Sequence, residues 1–151
     1  DGFVLDSKRS LDVIAIDYTA TALKNKLNIT GEVVKVFVDV PDTYSQTFGS
    51  EQFGGFIDIV GTIIQREMLG WEKSKINLAL RLEYADYNQD KFKETNGDIS
   101  EDIWAIVPAI AFRPVGTTVL RFNYRYQQQQ DLLGNPPSKT SVIQFGISTY
   151  F

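Results

Sequence analysis

The stretch "TVLRFNYRYQQQQ", residues 118–130, alternates without a break. Thr118, Leu120, Phe122, Tyr124 and Tyr126 point one way; Arg121, Asn123, Arg125, Gln127 and Gln129 point the other. A period of two is the mark of a β-strand, and two faces this unlike imply two different surroundings. Toward the C-terminus, "SVIQFGISTYF" (residues 141–151) repeats the pattern. Ile143, Phe145, Ile147, Thr149 and Phe151 share one face, opposite Val142, Gln144, Gly146, Ser148 and Tyr150. Upstream, Ile76, Leu78, Leu80, Leu82 and Tyr84 stand against Asn77, Arg81, Glu83 and Tyr87.

Extending this reading predicts seven strands, at residues 9–23, 26–40, 53–68, 75–89, 103–113, 117–130 and 139–151. Most exceed the ~5–6 residues of an ordinary soluble strand and suit the ~9–11 that a tilted strand needs to cross a bilayer. The connections alternate in length. Leu23 to Lys26, Leu69 to Ser74 and Pro114 to Gly116 are short, whereas Pro41 to Gln52, Asp90 to Asp102 and Asp131 to Lys139 are long and polar. Short turns at one end and long loops at the other fit an antiparallel transmembrane β-barrel; a soluble sandwich has no need of that order. Two strands break the pattern. In the second, the apolar set changes from Leu27, Ile29 and Val33 to Val34, Val36, Val38 and Val40, which predicts a one-residue bulge near Val33 and Val34. In the fifth, Pro108 removes a ladder donor, so a bulge or a missing hydrogen bond is expected there.

Composition removes several classes of function. The 151 residues include no Cys and no His, so neither a disulfide framework nor a Ser-His or Cys-His nucleophile pair can be built, and no enzyme is expected. A formal charge of −4 leaves no basic footprint for nucleic acid. No run of apolar residues is long enough for a spanning helix, which says nothing against spanning strands. The acidic loop "DKFKETNGDISED" holds Asp90, Glu94, Asp98, Glu101 and Asp102, but its spacing fits no EF-hand and it reads as a solvated loop. Trp71, Tyr84, Trp104, Tyr124 and Tyr126 are expected in interfacial aromatic girdles.

A terminal strand ending in Phe, with apolar residues at alternate positions before it, resembles the signal read by the outer-membrane barrel assembly machinery. Ile143, Phe145, Ile147 and Phe151 are the matching positions, with Thr149 a weaker member. "LALRLEYADYN" and "AIAFRPVGTTVLRFNYRY" resemble the last strands of porin-like barrels, including the phosphate-selective porin type, although no set of anion-binding loop residues can be matched onto this chain. The resemblance implies the outer membrane of a Gram-negative bacterium, with lipid and the assembly machinery as partners. A periplasmic C-terminus would put the segment "DGFVLDSKR" on the extracellular side, and seven is an odd number of strands. Residues 1–151 are therefore expected to be the C-terminal portion of one larger barrel domain; the alternative is a first strand within residues 1–8, where Asp1, Asp6 and Lys8 make a poor spanning segment.

If the apolar faces meet lipid, the opposite faces line the lumen. The candidates are Asp17, Glu32, Lys35, Asp39 and Asp58 on the earlier strands, and Arg66, Lys75, Arg81, Glu83, Arg121 and Arg125 on the later ones. Facing walls of opposite charge favour small polar solutes and set ion preference, and arginine forks can hold carboxylate or phosphate. Arg121 and Arg125 together are expected to govern anion preference. Passive diffusion of small hydrophilic solutes or ions is the function expected, with no cofactor. The rival is a non-conducting barrel that anchors or scaffolds an envelope protein complex, alone or as a homo-oligomer; a soluble ligand-binding barrel comes third.

Overall fold

Each β-strand carries donors and acceptors on both edges, and short connections favour pairing with the strand just made. The computed structural model, which describes residues 9–40, 49–92 and 95–150, follows that rule throughout. Seven strands form one antiparallel sheet in chain order: β1 (Leu11–Ala22), β2 (Leu27–Val38), β3 (Glu51–Gln65), β4 (Lys75–Asp86), β5 (Asp102–Arg113), β6 (Thr118–Gln129) and β7 (Ser138–Thr149). No helix occurs among the described residues. β1 and β7 are not paired with each other, so the sheet is open. The expected all-β antiparallel architecture is present; the first eight residues and Phe151 lie outside the described residues.

Six strands have 12 residues and β3 has 15. A 12-residue strand is about 40 Å long at ~3.4 Å per residue, and at the ~40° tilt of barrel strands it would stand about 30 Å high.

The register sorts side chains into two faces. From Asp17↔Glu32 through Asp58↔Arg81, Arg81↔Val107 and Ala111↔Arg121 to Arg121↔Gly146, one face carries the charges. The other carries Ile16↔Val33, Ile57↔Leu82, Leu82↔Ile106, Ile110↔Phe122 and Phe122↔Phe145. The apolar face is bare: Ile16 and Phe145 are both 67% exposed.

Two expected irregularities fall out differently. β2 has no bulge, since Val33 and Val34 pair in unbroken register with Ile16 and Ala15 on one side and Gly55 and Gly54 on the other. Val34, Val36 and Val38 therefore share the face of Glu32, and Lys35 stands on the apolar face. The bulge lies in β3, where the register shifts between Thr62 and Ile64, an extra residue that the continuous apolar run there conceals. At Pro108 the β5–β6 ladder is interrupted, with Val107 and Pro108 unpaired, and resumes at Ala109↔Asn123 without a shift. The missing hydrogen bond, not a bulge, is what proline causes here.

The β3–β4 connection, residues 66–74, carries a two-residue turn at its tip. Leu69 (φ 53°) and Gly70 (φ 81°) both adopt left-handed backbone, and Met68 and Trp71 exchange hydrogen bonds of 3.0 and 3.2 Å. That is the type I′ geometry that matches strand twist, and a leucine there bears a steric cost that asparagine largely escapes. Leu69→Asn is expected to raise the unfolding free energy by about 1 kcal/mol, read as a higher urea midpoint at unchanged slope.

The β6–β7 loop is organised by Asp131. Its carboxylate accepts hydrogen bonds from the Asn135 side chain (2.7 Å) and from the backbone N–H of Asn135 (3.0 Å) and Leu133 (3.1 Å). These bonds, the Asn135 side chain first, hold the Asp131 carboxyl below the usual carboxylate range. Because the folded value is depressed, the stabilisation is present above the unfolded value and is lost as pH falls through the folded one. Protection of the Leu133 and Asn135 amides, relative to their intrinsic exchange rates, should fall over that acidic window, and Asp131→Asn should remove the pH dependence of that protection.

Candidate functional site

The polar face is built around β5, whose side chains on that face between Ile103 and Arg113 are small: Ala105, Val107, Ala109 and Ala111. Long side chains from β4 and β6 lie over this floor. In register, Arg81 stands opposite Val107, and Ala105 lies between Glu83 and Gln127. Glu83 joins the two sides: one carboxylate oxygen lies 2.9 Å from Arg81 Nε and the other 2.7 Å from an Arg125 terminal nitrogen, across the intervening strand. Ala105 and Val107, covered by this clasp, are 2% and 9% exposed, and with Ile99 they are the buried hydrophobic side chains among the described residues.

Asp58, directly opposite Arg81, adds a looser ion pair at 3.6 Å. The Arg81 guanidinium also stacks 4.1 Å from the centre of the Phe56 ring, a cation–π contact. Arg81 Nε is buried without a well-aligned hydrogen bond, so its approaches to Glu83 and Asp58 are contacts between charges rather than directed bonds. Arg125 Nε donates to Gln127 (2.8 Å), and Asn123 donates to Gln144 (2.7 Å), continuing the polar lining onto β7.

The residues expected to share a face therefore divide. Asp17, Glu32, Asp58, Lys75, Arg81, Glu83, Arg121 and Arg125 stand together on the polar face. Lys35 does not: without a bulge in β2 it falls at the rim of the apolar face, 2.7 Å from Glu51 and hydrogen-bonded to Gln89. Asp39 and Arg66 lie just beyond the ends of β2 and β3. Arg121 and Arg125, expected to act together, differ in kind. Arg125 is neutralised by Glu83, whereas Arg121 makes no ion pair among the described residues. Its neighbours in register are Ala111 and Gly146. Arg113, which the sequence did not single out, belongs to the same face, directly opposite Lys75. Only the strand pairing reveals it.

On the apolar face Phe53, Tyr84, Trp104 and Tyr126 form a row near the long-loop end, while Tyr18, Phe122, Tyr124 and Phe145 stand at mid-height and Phe112 nearer the short turns. Trp104 and Tyr126 meet edge to face at 5.7 Å, Phe53 and Tyr84 lie tilted to each other at 6.3 Å, and Tyr84 lies opposite Trp104. Beyond them come Asp12, Lys35, Glu51, Asp86, Asp102, Gln128 and Lys139, a polar rim. The loops above are tied together by Asn88, which is 4% exposed. Its amide donates to Glu101 and accepts from the Gly49 backbone, while its own N–H donates to Asp86 at 3.1 Å. Of the acidic loop residues, Glu94 lies outside the described residues, and no metal-holding group occurs among the described ones.

No family model matches the chain, and neither the curated proteins nor the solved structures contain a significant match. The reading of this face rests on its own chemistry.

The clasp has a direct test. With side chains roughly three-quarters buried at Glu83 and Arg125 (28% and 26% exposed), a cycle of Glu83→Gln and Arg125→Gln is expected to give a coupling of about 1 kcal/mol in unfolding free energy. Arg121→Gln paired with Glu83→Gln should couple by much less.

Proposed function

We propose that this sheet is the wall of an outer-membrane barrel that carries small hydrophilic solutes or ions by passive diffusion. One observation carries the reading: a single continuous sheet with an uncovered aliphatic face and a charged, hydrogen-bonded face behind it. In water an uncovered apolar face of seven strands is a liability, and soluble domains bury theirs against a second layer. In a bilayer the same face is solvated by lipid. The strand height of about 30 Å matches the hydrocarbon thickness, and the aromatic row followed by a charged rim supplies the interfacial order. The polar face then looks onto water, with the acidic residues of β1–β3 on one side and the cations of β4–β6 on the other, meeting at Asp58 and Arg81.

On this reading the edges of β1 and β7 are completed by further strands of the same barrel, because unpaired backbone groups are not tolerated in lipid. The short-turn end faces the periplasm, and Ile143, Phe145 and Ile147 form part of the row presented to the assembly machinery; Phe151, outside the described residues, would end it. The second reading, a non-conducting anchor, draws on the loop cap pinned by Asn88, a built surface where an envelope partner can dock.

Full-length protein reconstituted into planar bilayers separates the two. Discrete, stable current steps are expected for the channel. Insertion shown by protease protection without any current would overturn it in favour of the anchor.

A further inference from the structure

The cations of the polar face fall into two groups, and only one is compensated. Arg81 and Arg125 share Glu83 and Asp58 at mid-height. Toward the short turns, Lys75, Arg113 and Arg121 have no carboxylate partner and no side-chain hydrogen bond among the described residues. Lys75 and Arg113 are moreover directly opposed across the β4–β5 ladder. Like charges so placed repel, and nothing on the neighbouring positions of the face relieves them: Asn77, Ala111, Val119 and Ser148 are neutral. Arg121 lies diagonally from Arg113, with Ala111 between the strands as a low floor, and a side chain built at Gly146 would meet nothing within 4 Å. The result is an open, uncompensated basic patch on three adjacent strands.

From this patch we propose a binding site for short organic dicarboxylates at Lys75, Arg113 and Arg121. The two guanidinium groups come from diagonal positions whose backbones stand about 7–8 Å apart, so each fork can take one carboxylate side-on while Lys75 adds a third charge. A single carboxylate fills one fork and leaves the other unpaired. A compact inorganic anion can engage both forks only by drawing the two like-charged guanidinium groups together onto one centre, whereas a dicarboxylate meets them apart. Occupancy also removes the Lys75–Arg113 repulsion. The site rests on the polar face being the aqueous one, and in the channel reading it lies at the periplasmic mouth.

The test uses full-length protein in planar bilayers at low salt, with succinate as probe and acetate and inorganic phosphate as comparators. Succinate added on the short-turn side is expected to reduce the chloride current at concentrations about tenfold below those needed with acetate or phosphate. Arg113→Gln with Arg121→Gln should abolish that advantage, and Lys139→Gln, on the opposite face, should leave it intact. Removing like-charge repulsion does not threaten folding, so the thermal midpoint should not fall; Arg121→Gln alone is the milder second variant. An unchanged succinate effect in the double variant, acetate acting as strongly as succinate, or tighter phosphate binding would each overturn the proposal. If the protein inserts but does not conduct, calorimetric titration of succinate into detergent-solubilised protein decides the site separately. Binding lost in the double variant would keep the site while the channel reading fails; binding retained there, or none to the unaltered protein, would overturn the site.

Discussion

The antiparallel register between consecutive strands is the constraint from which the other features follow. Because side chains alternate with a period of two, one register decides the face of every residue in a strand. Here the registers run unbroken except for one extra residue in β3, past Thr62 and close to the turn into β4. The polar and apolar faces thus stay separate over nearly the whole height of the sheet. Had the bulge fallen in β2 as the valine run suggests, Lys35 would have joined the polar face and Val34, Val36 and Val38 the apolar one. Instead these valines stand beside Glu32, near Gly54 and Phe56, and Lys35 finds Glu51 at the rim.

Much of this was legible in the sequence wherever alternation was strict. In β4, β6 and β7 the face assigned to each side chain within the paired residues agrees with the strand pairing, because two residues of the same kind rarely follow one another there. β2 misled because a β-branched residue suits either face of a strand, and "EVVKVFV" satisfies two phases equally. The β3 bulge was hidden for a related reason: in "GTIIQ" two isoleucines in succession carry no phase information. The division among the arginines was not legible at all. That Arg125 reaches Glu83 while Arg121 does not depends on two registers acting together across β5, and on Ala105 and Val107 being small enough to pass beneath the clasp.

The clasp and the bare apolar face are linked through β5. A floor of small residues cannot itself cover the polar side, yet it lets charged side chains from both flanks lie down and compensate one another. Pro108, on the same strand, removes one ladder bond toward β6 beneath the clasp. The ion pairs therefore span the place where the backbone ladder is weakest. An exposed pair contributes little, but a carboxylate shared by two guanidinium groups over buried methyls is screened less and orders three side chains together.

The two edges set the remaining physical condition. β1 and β7 each leave one side of a 12-residue strand without a ladder partner. In water those groups bond to solvent; in hydrocarbon each unsatisfied one costs several kcal/mol, of order tens of kcal/mol for two edges of this length. The lipid that would solvate Ile16, Phe122 and Phe145 would therefore expel the sheet unless both edges were paired. An uncovered apolar face and two open edges are opposite demands for an isolated sheet, the first asking for lipid and the second forbidding it. Closure by additional strands would meet both at once, and it would turn the charged face inward, where Arg121 and Arg113 would meet water rather than acyl chains.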